Sequence, residues 1–512
     1  MEIEISILIL KIMSTPIVEL KNIHKSFARN KVLDSISLCI YPGEIIALVG
    51  ENGCGKSTLI KIISGFYEYD QGVIKLNGKV YLNVTPSDSI KEGIQVIYQD
   101  FSLFPNLTVM ENISLCIEIA DNKKILNWRR MRSEAKKALD LIGINLDLDE
   151  YVSNLSVAEK QIVAISRAIL QNAKLIIMDE PTTALTQREI LRLYEIIREL
   201  CKKGVAVIFV SHKLDEVFNV CKRIIVVRNG MIVIDNPIIE FDREKLSYYM
   251  TGQYIAEEPF IYKKKKENII LEVKNISSGK EFYNISFNVK QGEILGITGQ
   301  LGSGRTALAK ALFGIIPIER GEIKIKGKLV ELYSIKSAMK NKIAYLPEDR
   351  LIEGIFMFRS IKDNINSVIL DDQVNKFKLL DRKKYDETAD KWFKELSIKA
   401  PNIEVNAFTL SGGNQQRVVL GRWLSTKPEI LILNCPTVGV DIKSKSEIHK
   451  IMKDLSEKDI TIIIISDDIG ELLNVTNRII VMNNGRITYA VNTDETNYEE
   501  ISNKITEIYE TI

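Results

Sequence analysis

Residues 50–57 read GENGCGKS, after the apolar run IIALV and before the apolar stretch TLIKIISG. Glycines in such a loop let backbone N–H groups wrap phosphate oxygens, and the partial positive charge of a helix N-terminus adds to them. Lys56 can reach β- and γ-phosphates, and the Ser57 hydroxyl can hold Mg²⁺. Gly50, Glu51, Asn52, Gly53, Cys54, Gly55, Lys56, Ser57 and Thr58 are therefore the expected nucleotide cradle. Asp179 closes the run KLIIMD, where its carboxylate can complete the Mg²⁺ shell. Glu180 follows it and can polarise a water for in-line displacement at the γ-phosphorus. His212 ends VAVIFVSH, a strand end aimed at the same crevice, and is expected at the γ-phosphate. Catalysis is thus assigned to Lys56, Glu180 and His212, and metal binding to Ser57 and Asp179. Gln99, in IQVIYQD, is a weaker signal because glutamine has many surface uses. Read singly, the loop is a Gly-rich turn and the acid pair a helix cap; read together, they specify a phosphate site. Cys54, beside Lys56 and a helix N-terminus, is expected as a reactive, low-pKa thiol, the alternative being an inert loop residue.

The chain carries this plan twice. GEIIALVGENGCGKST, from Gly43, returns as GEILGITGQLGSGRTA from Gly292, and LSVAEKQ, from Leu155, returns as LSGGNQQ from Leu410. LIIMDEPTTAL is echoed by LILNCPTVGV, and the interval between the copies is nearly constant, which marks a duplicated domain. The second copy has Arg305 for lysine, Asn434 for the metal carboxylate, Cys435 for glutamate, Glu348 for glutamine and Asp467 for histidine. An amide and a thiol cannot do a carboxylate's work at pH 7, and two further acids would repel a γ-phosphate. Hydrolysis there is expected to be negligible, although residues 299–306 keep the loop pattern and can still hold a nucleotide. The second motif inverts the asymmetry. Ser411 and the N–H groups of Gly412, Gly413, Asn414 and Gln415 form an anion site at a helix N-terminus. The first copy has Ala158 and Glu159 where Gly413 and Asn414 stand, adding a Cβ and a negative charge.

The elements that must position these residues follow from periodicity. Short apolar runs such as EIIALVG read as buried strands, and QREILRLYEIIREL, with its one apolar face, as a helix between them. This alternation predicts an α/β fold whose parallel sheets are covered by helices and bind ligands at the strands' carboxyl ends. At 512 residues the chain exceeds one core. The expected boundaries are a leader at 1–12 ahead of a start near Met13, a first domain at 13–253, a lysine-rich linker at 254–268 and a second domain at 269–512.

Sixty-nine Lys+Arg against 67 Asp+Glu gives a net charge of only +2, which disfavours a nucleic-acid partner. Six scattered cysteines and three dispersed histidines show no zinc spacing and fit a reducing cytoplasm. No run reaches the roughly 18–20 apolar residues of a bilayer crossing.

The ordered set GENGCGKST, Gln99, LSVAEKQ, LIIMDEPTTAL and Ser211-His212 resembles the ATP-binding cassette ATPases, over nearly the whole chain and twice. The resemblance implies two tandem P-loop domains, each with a small antiparallel β portion and a helical subdomain, and ATP with Mg²⁺ as cofactors. It places Gln99 at Mg²⁺ and Phe27 against the adenine, with ordinary core packing as the alternative for Phe27. In that family each ATP lies between one domain's phosphate loop and the other's signature, so the intact loop would meet Ser411 to Gln415. YLPEDRLIEGIF, GSGRT and YYMTGQ are similar to the ATPase subunits of bacterial ribose, galactose and xylose importers, which commonly keep Asp-Glu where this chain has Asn434-Cys435. Separate permease subunits, an extracytoplasmic sugar-binding protein and a peripheral place on the cytoplasmic face of the membrane are then implied. An importer of nucleosides or signalling molecules, and a soluble ribosome-associated twin-cassette ATPase, are the alternatives.

Overall fold

The computed structural model describes residues 15–507 except 29, 52, 99–100, 121–125, 183–184, 186, 212, 253–266, 301, 376 and 378. The expected leader at 1–12 lies outside the described residues, as does most of the expected linker at 254–268. The chain divides into two compact units, Met1–Ile255 and Ala256–Ile512.

In the first unit a six-stranded sheet runs Met231–Pro237, Arg223–Arg228, Ile45–Val49, Ala206–Val210, Leu175–Asp179, Ile94–Ile97. All neighbours are parallel except the first pair. Ile45–Val49 and Ala206–Val210 are buried at every position. Near-continuous Val/Ile runs of this kind belong to a parallel sheet covered on both faces. The register sets Leu48 and Asp179 on either side of Val210, so the segments that follow these strands leave from one edge. A four-stranded antiparallel sheet, Asn30–Ile40, Val18–Phe27, Gln71–Leu76 and Lys79–Tyr81, forms the second layer. Helices Val109–Ala120, Trp128–Leu141 and Val157–Leu170 pack around Val109, Ile113, Met131, Leu139 and Val163 as a separate helical portion.

The second unit repeats this. Its six-stranded sheet runs Ile343–Leu346, Ile430–Asn434, Thr461–Ile465, Ile294–Gly299, Arg478–Asn483, Arg486–Asn492. Ile297 and Asn434 flank Ile465 in register, as Leu48 and Asp179 flank Val210. Both units therefore have the mainly parallel sheet, antiparallel portion and helical part expected. Among the described residues no helix is long and apolar enough to cross a membrane.

Candidate functional site

The loop after Ile45–Val49 is shaped by two glycines. Gly50 has φ 150°, and a Cβ there would lie 2.1 Å from the Val227 carbonyl oxygen. Gly55 has φ 110°, and its Cβ would meet Leu33 Cδ2 at 2.6 Å. Gly55 is also the N-cap of the helix Lys56–Ile63 and offers no capping side chain, which leaves the first helical N–H groups for an anion. Lys56 Nζ donates to the carbonyls of Gly50 at 2.6 Å and Glu51 at 2.9 Å, so its charge sits over the loop. A cleft of about 290 Å³ opens here, with Lys56, Ser57, Thr58, Asp179 and Glu180 in its lining.

Asp179 and Glu180 reach this cleft because the strand Leu175–Asp179 ends beside it. Glu180 turns at once into the left-handed region, φ 48°, while its N–H donates to the Val210 carbonyl at 2.9 Å. That conformation costs a non-glycine residue about 1 kcal/mol, and the sheet bond holds it. Burial, and then the charge of Glu180, pushes the Asp179 carboxyl above its usual range. A carboxylate held this way gains by meeting a cation, and the Ser57 hydroxyl lines the same cleft. Among the described residues no cluster of three His, Cys, Asp or Glu could hold a metal. A hydroxyl and one carboxylate nonetheless suit Mg²⁺, which takes the rest of its shell from phosphates and water.

Sequence reasoning passed over Glu216. This buried carboxylate accepts from Thr182 Oγ1 at 2.6 Å and Ser211 Oγ at 2.7 Å, bracing the segments that follow Glu180 and the strand Ala206–Val210. Glu471 does the same for Thr437 at 2.7 Å and Ser466 at 2.6 Å, so the repeat itself was a signal that could have found it. Phe27 lies at the surface, 41% exposed, rather than in the core, with its ring edge-on to Tyr67 at 5.2 Å between centroids. Tyr67, in the aromatic run GFYEYD, was not singled out from the sequence. Asn52, Gln99 and His212 lie outside the described residues.

Cys54 corrects an expectation. Its side chain is buried in the apolar core, close beneath Gly50. Burial pushes the thiol up, outweighing the opposing charge of Lys56. Burial therefore opposes the low-pKa, reactive thiol inferred from chain neighbours and favours the inert alternative.

The second loop has the same backbone. Gly299 and Gly304 have φ of 156° and 87°, and Gly304 is the N-cap of Arg305–Leu312. Arg305 Nη1 donates to the Gly299 carbonyl at 2.6 Å, as Lys56 does to Gly50. Asn434 is fully buried at its strand's end, 3.4 Å from the Tyr345 hydroxyl. Burial, with the charges of Asp467 and Glu348 adding, pushes the Cys435 thiol well above its ordinary range, so it stays protonated and cannot act as a base.

The two serine turns differ locally. Ser156 Oγ accepts from the Glu159 N–H at 3.3 Å and Glu159 Oε2 accepts from the Ser156 N–H at 2.8 Å, a closed capping box on Val157–Leu170. Ser411 precedes Gly412–Leu424 and makes no such cap; its hydroxyl accepts from Asn414 Nδ2 at 2.9 Å. The first turn therefore uses its own side chains at the helix start, while the second leaves backbone donors for an anion. A Cβ on Gly413 would lie 2.4 Å from Ser444 Oγ and 2.6 Å from Ser444 Cβ, so packing also requires this glycine. Gln415 is buried and donates to the carbonyls of Ala407 at 3.3 Å and Leu410 at 3.2 Å, securing the segment before the turn.

Comparison with known proteins agrees with this duplication. The family described as ABC transporter matches twice, over residues 33–183 and 282–438. The ribose import ATP-binding protein RbsA of Clostridium perfringens (strain SM101 / Type A) is 43% identical over 495 residues, covering 95% of this chain and 97% of that protein. The protein of the same name from Bacillus subtilis (strain 168) is 39% identical over 487 residues, 94% of this chain and 98% of its own. That of Lactococcus lactis subsp. cremoris (strain SK11) is 40% identical over 490 residues, 94% and 98%.

Proposed function

The chain belongs to the ABC transporter family, and on that premise we propose that it is the ATP-binding subunit of a ribose importer. It hydrolyses ATP to drive the sugar through separate permease subunits. The observation that carries the cargo is the 43% identity, over 95% of the chain and both units, to a protein named for ribose import. The site supports the chemistry. Loop N–H groups and Lys56 bind and orient the phosphate chain, and Phe27 with Tyr67 offers the base an aromatic face. Glu180 accepts a proton from the attacking water. Ser57 and Asp179, with Gln99, would hold Mg²⁺, which when bound neutralises charge on the β- and γ-oxygens. His212 is assigned to the γ-phosphate, and the turn from Ser411 to Asn414 to a further phosphate contact, with Gln415 holding that turn in place. The cassette at 13–253 is the catalytic one and that at 269–512 the degenerate one. The partners are permease chains and, through them, an extracytoplasmic ribose-binding protein, with no nucleic acid; the subunit sits peripherally on the cytoplasmic face of the membrane.

The test is reconstitution in proteoliposomes with its permease and binding protein. Ribose-loaded binding protein should stimulate phosphate release several-fold over the unloaded form, as an order-of-magnitude expectation for a coupled site. Stimulation by galactose, xylose or a nucleoside but not by ribose would overturn the cargo assignment.

A further inference from the structure

Four side chains of the second cradle face acids of their own unit. Arg305, 7% exposed at its side chain, donates through Nη1 to the loop and lies 3.2 Å through Nη2 from Asp467 Oδ1. The same Asp467 oxygen accepts from Cys435 Sγ at 3.5 Å. Thr306, standing where Ser57 stands in the first loop, donates to Glu348 Oε2 at 3.4 Å, with Asn434 Nδ2 at 3.5 Å from that same oxygen. In a working cradle the basic side chain and the hydroxyl serve phosphate and metal.

We propose that Asp467 plugs the second cradle: its carboxylate takes on Arg305 the place of a nucleotide's terminal phosphate, so that the chain binds a single Mg-nucleotide, in the first cradle. A guanidinium accepts carboxylate and phosphate oxygens alike, through the same charge-assisted bonds. An entering γ-phosphate must break the Arg305–Asp467 pair and then lie beside the released carboxylate, with Glu348 behind it at the metal position. Like charges brought together oppose binding. The aromatic pair of the first cradle is not repeated at these positions: Val18–Phe27 ends in Phe27, while the matching strand Ile269–Ser278 ends in serine, and Ile316 stands in the place of Tyr67. Asp467 is thus a specificity-determining residue that closes this cradle to nucleotide, rather than only slowing hydrolysis there. The inference rests on the reading of the first cradle as the nucleotide site.

The test is equilibrium titration of the full chain with N-methylanthraniloyl-ATP and Mg²⁺. Wild type should bind one equivalent and Lys56→Ala should bind weakly. Lys56→Ala/Asp467→Asn should regain one equivalent, at least about tenfold tighter than Lys56→Ala alone, and adding Arg305→Ala should remove the gain. The Asp467 side chain is 58% exposed, so its loss should leave the unfolding midpoint near that of the parent. Asp467→Ser, which removes the charge with a smaller group, should give the same regain. Two equivalents in wild type, one of them sensitive to Lys56→Ala, would overturn the plug alone. The absence of any gain in both Asp467 variants, folded like their parent, would also overturn it. Binding unaffected by Lys56→Ala but lost in Arg305→Ala would overturn the plug and the first-cradle reading together.

Discussion

Glu180 and Cys435 make the same turn: φ is 48° in each, and each N–H donates at 2.9 Å to a carbonyl of the neighbouring strand, Val210 in one unit and Ile465 in the other. The backbone that places the proposed catalytic carboxylate in the first unit persists in the second around a buried thiol. The turn is held by the sheet and by the braces of Glu216 and Glu471, and none of these involves the carboxylate. Position and chemistry are therefore separable here. One cradle keeps both, and the other keeps position only and turns its basic group toward an internal acid.

The widest gap between the two should be in turnover. Glu180→Gln is expected to cut steady-state phosphate release by about 10²–10⁴-fold, while Cys435→Ala stays within about twofold of wild type. Comparable losses would erase the distinction between the units. The serine turns should separate next, and in opposite observables. On the proposed role of Ser411 as a phosphate contact, Ser411→Ala should lower ATP turnover by about tenfold, with its unfolding midpoint little changed because its side chain makes no helix cap. Ser156→Ala breaks a capping box and should cost about 1 kcal/mol in denaturant unfolding, with turnover nearly intact. The reverse pattern would reverse the assignment of the two turns.

The smallest difference concerns acid. Glu92 follows the helix Pro86–Lys91 and accepts from Lys79 Nζ at 2.8 Å, Asn77 Nδ2 at 2.8 Å and the Tyr81 hydroxyl at 2.9 Å. The Lys79 bond first, then that of Asn77, pulls its carboxyl down from 4.5 to about 2. Its pKa is depressed in the folded state, so its contribution is present above pH 4.5 and lost as the pH falls toward 2. Glu92→Gln should lower the thermal midpoint by about 1–2 °C at pH 7, and by progressively less from pH 4.5 to 3. Asn341, which follows the matching helix Ile335–Lys340, bears no charge, so Asn341→Ala should show no such pH dependence.

Much of this asymmetry was legible because it is written in short, contiguous motifs. The phosphate loop, the strand-ending acids and their replacements each occupy a few adjacent positions, and the repeat supplied an internal control. Glu216 was not legible because a lone glutamate five residues beyond Ser211 has no motif until Thr182 is brought to it. Gly413 was read as an accommodation of phosphate, and Ser444, distant in the chain, adds a packing reason.

By itself the amino-acid order determined the α/β architecture, its duplication and which copy keeps the hydrolytic residue types, because hydrophobic period and loop chemistry act over short stretches of chain. Only the tertiary structure decided which charges meet and which groups lose water. Lys56 lies two positions from Cys54, yet burial raised the thiol. Arg305 and Asp467 are far apart in the chain, yet they form an ion pair. Solvation and Coulomb energies depend on distance through space, and that distance is set when strands from remote parts of the chain come into register.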